Sequence, residues 1–204
     1  WEASAHGYPF PDIGTRLDML EEAAQVIRRM LTEDRTTFSG KHFQVDDVSC
    51  LPKPVQPRLP IWIGGVGEKR TLQIVADHAD GWNAAYLPPD EFSRVNDVLN
   101  HWCEEEGRDP GSLKRAANIT FNMALKEKDL DRQRAVLQED WGDMADRIAG
   151  GSLLCTPDKA VARILEYVDA GADEINIALR APWDEETLDA YLESVMPAVR
   201  KAVG

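Results

Sequence analysis

Cysteine is scarce, basic residues are outnumbered and no long apolar run exists, and each shortage excludes a class of protein. Three cysteines, Cys50, Cys103 and Cys155, lie far apart, with neither the even count of a disulfide framework nor the C-x-x-C spacing of zinc sites and redox motifs. A reducing cytoplasm fits that usage best. With 23 basic against 36 acidic residues the formal net charge is −13, which repels a phosphate backbone and an anionic membrane surface alike. Neither nucleic acid nor membrane is an expected partner. No window approaches the roughly 20 consecutive apolar residues that a membrane span requires, and no basic-then-apolar signal pattern opens the chain. His6, His42, His78 and His101 show no metal-like spacing, so no metal site is expected. The chain begins at Trp1 in place of a methionine, which points to a fragment.

What is present is an ordinary globular composition, 43% hydrophobic and 29% charged over 204 residues, and one domain is the default count. Leu17, Leu20, Ala24, Ile27 and Leu31 recur at helical spacing and predict an amphipathic helix over 12–32, with Thr15 as its N-cap. Thr36 to Val45, turning at Ser39-Gly40, predicts a β-hairpin, and Pro52, Pro54, Pro57 and Pro60 forbid regular structure after it. Residues 35–60 therefore read as a hairpin with a proline-rich excursion.

From 61 to 204 the chain reads as four strand–helix units. The strands are Ile61-Trp62-Ile63, Gly81-Trp82-Asn83, Ile119 to Leu125, and Ile175 to Leu179. The helices carry inward stripes of Leu72, Val75, Ala76 and Ala79; of Phe92, Val95, Leu99 and Trp102; of Leu137, Trp141, Met144 and Ile148; of Val161, Ile164, Leu165 and Val168; and of Leu188, Leu192, Val195 and Val199. Alternating strands and helices require a parallel sheet, because parallel neighbours need a crossover. The fold class is α/β. Four units are half of an eight-stranded barrel of about 250 residues; the same pattern also suits a small open doubly wound sheet, and periodicity does not choose between them.

Gly64-Gly65-Val66-Gly67-Glu68-Lys69-Arg70-Thr71 lies between a strand and a helix. Glycines there let backbone amides approach an anion, and the helix N-terminus adds partial positive charge. As a dinucleotide fingerprint the run fails, because Arg70 stands where a third glycine would permit close helix packing. Read bare, the loop is as compatible with a tight turn carrying solvated Lys69 and Arg70 as with a phosphate grip.

Leu59 through Leu72, followed by Ala79-Asp80-Gly81-Trp82-Asn83, resembles the bacterial luciferase-like superfamily, and within it the deazaflavin-dependent oxidoreductases that use coenzyme F-420. Arg16 with Leu20-Glu21-Glu22, Thr37 to Phe43, Thr156-Pro157-Asp158 and Tyr167 to Asp173 add matches in the family's order. The resemblance implies the C-terminal half of a (β/α)8 TIM-type barrel with a β-hairpin insertion, a single partial domain over 1–204. It implies a cofactor-binding set of Gly64, Gly65, Val66, Gly67, Glu68, Arg70 and Thr71 at the C-terminal mouth, with Trp82 and Asn83 as secondary candidates. The implied cofactor is coenzyme F-420, with FMN as the alternative, and the implied reaction is hydride transfer or monooxygenation of a small organic substrate. No catalytic residue is assigned, because the missing half brings most of the residues that hold the reactive ring.

Two further expectations follow. The strand edges at Ile61–Ile63 and Ile175–Leu179 invite self-association or pairing with an N-terminal half, and a non-catalytic barrel-completing subunit is the alternative reading. Cys155, where relatives carry glycine, is expected to be a small buried thiol and not a reactive one.

Overall fold

Asp12, not Thr15, opens the first long helix of the computed structural model, which describes residues 2–204; Trp1 lies outside the described residues. The Asp12 carboxylate accepts the N–H of Thr15 at 3.1 Å, satisfying one of the orphan donors of the first turn. A one-turn helix α1 (Glu2–Ala5) precedes α2 (Ile13–Thr32). Within α2, Ala24 and Val26 are buried and Leu17 and Leu20 pack against the core, whereas Ile27 is 47% exposed.

The hairpin forms as expected: β1 (Thr36–Ser39) pairs antiparallel with β2 (Gln44–Val48). Glu22 of α2 ties its turn down, its carboxylate accepting the N–H groups of Lys41, His42 and Phe43 at 2.7, 2.8 and 3.0 Å. The proline-rich stretch that follows has no regular structure.

Four parallel strands then form one sheet in chain order: β3 (Trp62–Gly64), β4 (Gly81–Ala85), β5 (Lys114–Thr120) and β6 (Glu174–Ala178). Between them run α3 (Thr71–His78), α4 (Pro89–Glu105), α5 (Leu130–Trp141), α6 (Ala145–Gly150) and α7 (Pro157–Asp169). After β6, α8 (Glu185–Ala190) passes through a π-helical turn at Tyr191–Val195 into α9 (Met196–Val203).

The register sets Ile63 beside Trp82 and Arg115, and Gly64 beside Asn83, Ala116 and Glu174. Because side chains alternate along a strand, one face carries Ile63, Trp82, Ala84, Arg115, Ala117, Ile119, Ile175 and Ile177. This is the core face, where Trp82 stacks on Phe92 at 5.2 Å and Phe92 meets Tyr167 edge-on at 6.1 Å. The opposite face carries Trp62 and otherwise small or polar residues, and apart from Gly81, Ala116 and Thr120 it stays partly or fully exposed. Consecutive helices α2, α3, α4 and α7 touch one another in turn, and the strand order never reverses. An open doubly wound sheet needs such a reversal, so that alternative is discarded.

Several expectations are corrected. The third strand spans Lys114–Thr120 and not Ile119 to Leu125, because Arg115 is buried to 6% exposure on a full set of neutral acceptors. Its guanidinium donates to Asn96 and Asn100 at 2.9 and 2.6 Å, to the carbonyl of Pro110 at 2.6 Å, and to the carbonyl of Leu113. The third helix is broken: Gly142, with φ of +52°, separates α5 from a 3-10 turn and α6, and Met144 is left 45% exposed. In α7 the stripe is rotated, so that Tyr167 is fully buried and donates its hydroxyl to the carbonyl of Leu87 at 2.7 Å, while Leu165 and Val168 are half-buried. Similarly, Cys103 takes the fully buried position next to Trp102, and Leu192 lies exposed.

Candidate functional site

The glycine loop leaves β3 at its C-terminal end. Gly65 has φ of +124°, a conformation side-chain-bearing residues rarely adopt, and its N–H donates to the carbonyl of Asn83 at 3.3 Å. The next main-chain bond back into the structure is Leu72 N–H to the Gly67 carbonyl at 3.1 Å. Among the described residues, the N–H groups of Val66 through Thr71 thus have no protein acceptor. Six successive amides without a protein acceptor thus precede α3, at the positive end of its dipole, a backbone arrangement of the kind that favours anions. A Cβ at Gly67 would come within 2.6 Å of the Thr71 hydroxyl, so the loop is wound tightly onto the helix start.

Two indoles lock it. Trp82 Nε1 donates to the carbonyl of Gly65 at 2.7 Å, and Trp102 Nε1 donates to the carbonyl of Glu68 at 2.7 Å. These two bonds hold the carbonyls of Gly65 and Glu68 and so restrain the peptide units next to them. Trp82 is fully buried, so it supports the loop from below, and Asn83 carries a buried Oδ1 with no hydrogen-bond partner beside it. Trp102, expected only as core packing, does double duty; its place opposite the loop was not visible from the sequence.

The charged side chains of the loop are already engaged. Arg70 pairs with Asp18 and Glu21 of α2 at 2.7 and 3.2 Å, and the Arg70 guanidinium holds the Asp18 carboxyl at about 2. Glu68 pairs with Arg94 at 2.9 Å, and that hydrogen bond keeps its carboxyl below the ordinary range. What Arg70 and Glu68 leave free at the loop is therefore their main-chain N–H groups. Lys69 is exposed and has no ion pair among the described residues.

A second feature lies along the same rim. A cleft of about 880 Å³ opens at the C-terminal ends of β5 and β6, with α5 as its far wall. Thr120 and Asn122 form part of its lining, and Thr120 Oγ1 and Asn122 Oδ1 are buried without partners. Arg180 lies 4.3 Å from the centroid of the Trp141 ring, which Tyr86 meets edge-on at 5.2 Å. None of the site residues expected from the sequence lines this cleft. A signal did exist, since residues just past the ends of parallel strands occupy the functional rim of such sheets, and Leu179-Arg180 stands there.

Cys155 is partly buried against the core, and desolvation pushes its thiol up to about 11 despite the nearby Arg163, as expected of an inert thiol. Among the described residues no group of three or more His, Cys, Asp or Glu is placed to hold a metal, and no helix is long and apolar enough to cross a membrane.

The family model described as luciferase-like monooxygenase matches residues 2–144. An F420-dependent glucose-6-phosphate dehydrogenase of Intrasporangium calvum is 25% identical over 223 residues, covering 96% of this chain and 65% of the relative. The pyrimidine monooxygenase RutA of Acinetobacter baylyi is 31% identical over 98 residues, covering 46% of this chain and 26% of the relative. Among solved structures, an F420-dependent secondary alcohol dehydrogenase in complex with an F420–acetone adduct superposes with a TM-score of 0.81 at 20% identity, over 94% of this chain and 64% of that one. A riboflavin lyase with modified FMN gives 0.74 at 14% identity, over 98% and 60%. The fold is shared, and this chain spans less than two thirds of the length of either enzyme.

Proposed function

The chain belongs to the luciferase-like monooxygenase family, and from that premise we propose that it is the phosphate-gripping half of a (β/α)8-type barrel oxidoreductase that works with the deazaflavin coenzyme F-420, with FMN as the alternative cofactor. The observation that carries this reading is the row of six free amides at Val66–Thr71, oriented by Trp82 and Trp102.

The residues fit the phosphate or ribityl end of such a cofactor. Gly64, Gly65 and Gly67 keep side chains out of the approach, the N–H groups of Val66, Gly67, Glu68, Arg70 and Thr71 supply donors, and the Thr71 hydroxyl adds one more. The orphaned Asn83 Oδ1 and the buried Trp82 belong to the same strand end and complete its support. When bound, the deazaflavin supplies the carbon that accepts or donates a hydride; the protein supplies grip and orientation. The reaction class is hydride transfer or monooxygenation of a small organic molecule. The three free thiols, Cys50, Cys103 and Cys155, suit a reducing cytoplasm.

The half-barrel reading rests on four parallel strands in chain order, helices stacked in succession on one face, and a bare opposite face. That face and the unpaired edges at β3 and β6 also favour a second reading, a barrel-completing subunit that gains activity only by self-association or by pairing with an N-terminal half. Sedimentation of the isolated chain separates these: a monodisperse monomer counts against association.

Fluorescence titration of the chain with coenzyme F-420 and with FMN tests the main reading. Saturable binding of one of them, weakened about tenfold or more by Gly65→Asp, is expected; failure of both to bind overturns it.

A further inference from the structure

We propose that the cleft at the ends of β5 and β6 is a binding site for a small organic anion, an oxyanion group carried on an apolar body of about ring size. As the substrate site it rests on the oxidoreductase reading; as a binding site it does not.

The anion receptor is Arg180. Its guanidinium carbon lies over the Trp141 ring at 4.3 Å, a cation–π contact that restrains the side chain. The one carboxylate near it, Asp140, stands at 3.7 Å, too far for a hydrogen bond. Among the described residues the Arg180 guanidinium donates no hydrogen bond to the protein. A guanidinium that lines the cleft, rests on an indole and makes no hydrogen bond to the protein among the described residues is free to pair with a carboxylate or phosphate. Arg132 of α5 lines the same cleft, likewise without an ion pair among the described residues.

The body of the ligand is read from the other lining residues. Trp183 is 51% exposed and lines the cleft together with Leu179 and Val136. An indole left open on a cavity wall is a contact surface without its partner. At the floor, Thr120 and Asn122 are more than nine-tenths buried, and each presents an unpartnered oxygen. Buried polar atoms are ordinarily satisfied, so these two await a ligand's polar substituent. The volume of about 880 Å³ is in the range of small-molecule sites, roughly 300–1,000 Å³.

A cationic ligand is disfavoured although Glu139, Asp140 and Asp184 also line the cleft. Asp184 accepts the N–H of Thr187 at 3.3 Å as the cap of α8, and Asp140 faces Arg180. Arg132 and Arg180, lining the same cleft, repel a cation. Asp140 acts as a competitor: it draws on the same fork that an incoming oxyanion needs.

The experiment uses the full chain without cofactor, so its failure and that of the flavin reading are distinguishable. Calorimetry and tryptophan fluorescence follow titration with benzoate, phenyl phosphate, benzyl alcohol, inorganic phosphate and glucose 6-phosphate. Benzoate or phenyl phosphate is expected to saturate, with benzyl alcohol at least about tenfold weaker. Arg180→Gln weakens binding about tenfold or more, Arg180→Lys weakens it less, and Asp140→Asn tightens it. Both positions, Arg180 and Asp140, are exposed to solvent, and circular dichroism checks that each of the three variants folds. Equal affinity for benzyl alcohol and benzoate, or an unchanged affinity in Arg180→Gln, overturns the anion site. Inorganic phosphate or glucose 6-phosphate binding as tightly as phenyl phosphate overturns the apolar body.

Discussion

Trp82 donates its indole N–H to the carbonyl oxygen of Gly65 at 2.7 Å, so that one fully buried ring both stacks on Phe92 in the core and fixes the rim loop. Packing and ligand binding are coupled through a single side chain. Trp82→Phe keeps an aromatic ring near Phe92 but removes the donor, and it is expected to cost about 1–3 kcal/mol of stability through the smaller ring and the lost bond. Cofactor affinity should fall along with it, since the Gly65 carbonyl is then free to rotate the amides that follow. Urea denaturation and a parallel titration measure the two effects.

Neighbouring glycines should respond in opposite ways. Gly65→Ala forces a side chain into φ of +124° and sets its Cβ 3.1 Å from the Thr71 methyl group, which costs about 1–3 kcal/mol in backbone strain. At Gly64 a Cβ meets nothing closer than the Asn83 carbonyl at 3.6 Å, an ordinary contact. Gly64→Ala should therefore leave thermal stability within about 0.5 kcal/mol of the parent, and equal loss in both variants would refute this account of the loop.

The hairpin should loosen in acid. Desolvation opposes the charge on Glu22, but the N–H groups of His42, Phe43 and Lys41 outweigh it and hold the carboxyl below its ordinary 4.5. A carboxyl whose folded value is lowered contributes stability above the unfolded value and loses it as pH falls through the folded one. Protection of the Lys41, His42 and Phe43 amides against hydrogen exchange should thus be constant above about pH 5 and decline below it, whereas Glu22→Gln should show little of that decline.

The thiols should react in order of burial. Burial raises both Cys103, which is fully enclosed, and Cys155, pushed up to about 11; Cys50 is partly exposed on the proline-rich stretch. At pH 8 iodoacetamide is expected to modify Cys50 alone in the folded chain. Mass spectrometry of the adducts checks this, and early labelling of Cys155 would contradict its reading as an inert thiol.

Much of this architecture was readable from spacing. Leu72, Val75, Ala76 and Ala79, and then Phe92, Val95 and Leu99, form continuous apolar stripes, and all of them are buried where the stripes point. The strand β5 was not readable in place, because Lys114-Arg115 looks like a solvated pair and Ala116-Ala117 lacks the branched side chains that mark a strand. Its buried cation depends on Asn96, Asn100 and two carbonyls from segments that no local pattern connects. The break at Gly142 was masked by Leu137, Trp141, Met144 and Ile148, which keep helical spacing across it. The glycine loop could be located by composition, but its free amides and the two clamping indoles are properties of the folded chain. The cleft was invisible because its walls come from three stretches, the exits of β5 and β6 and one side of α5, none of them distinctive alone.

The Arg115 anchor has a consequence for how such a chain can change. It pins the start of β5 to α4 and to the turn before the strand, at the end of the sheet opposite the glycine loop and the cleft. Foundation and workbench are thus separate regions. Residues such as Arg180, Trp183 and Arg132 can be exchanged during divergence without loosening what holds the strands in register, so one scaffold can be re-tooled for new chemistry at modest risk of unfolding.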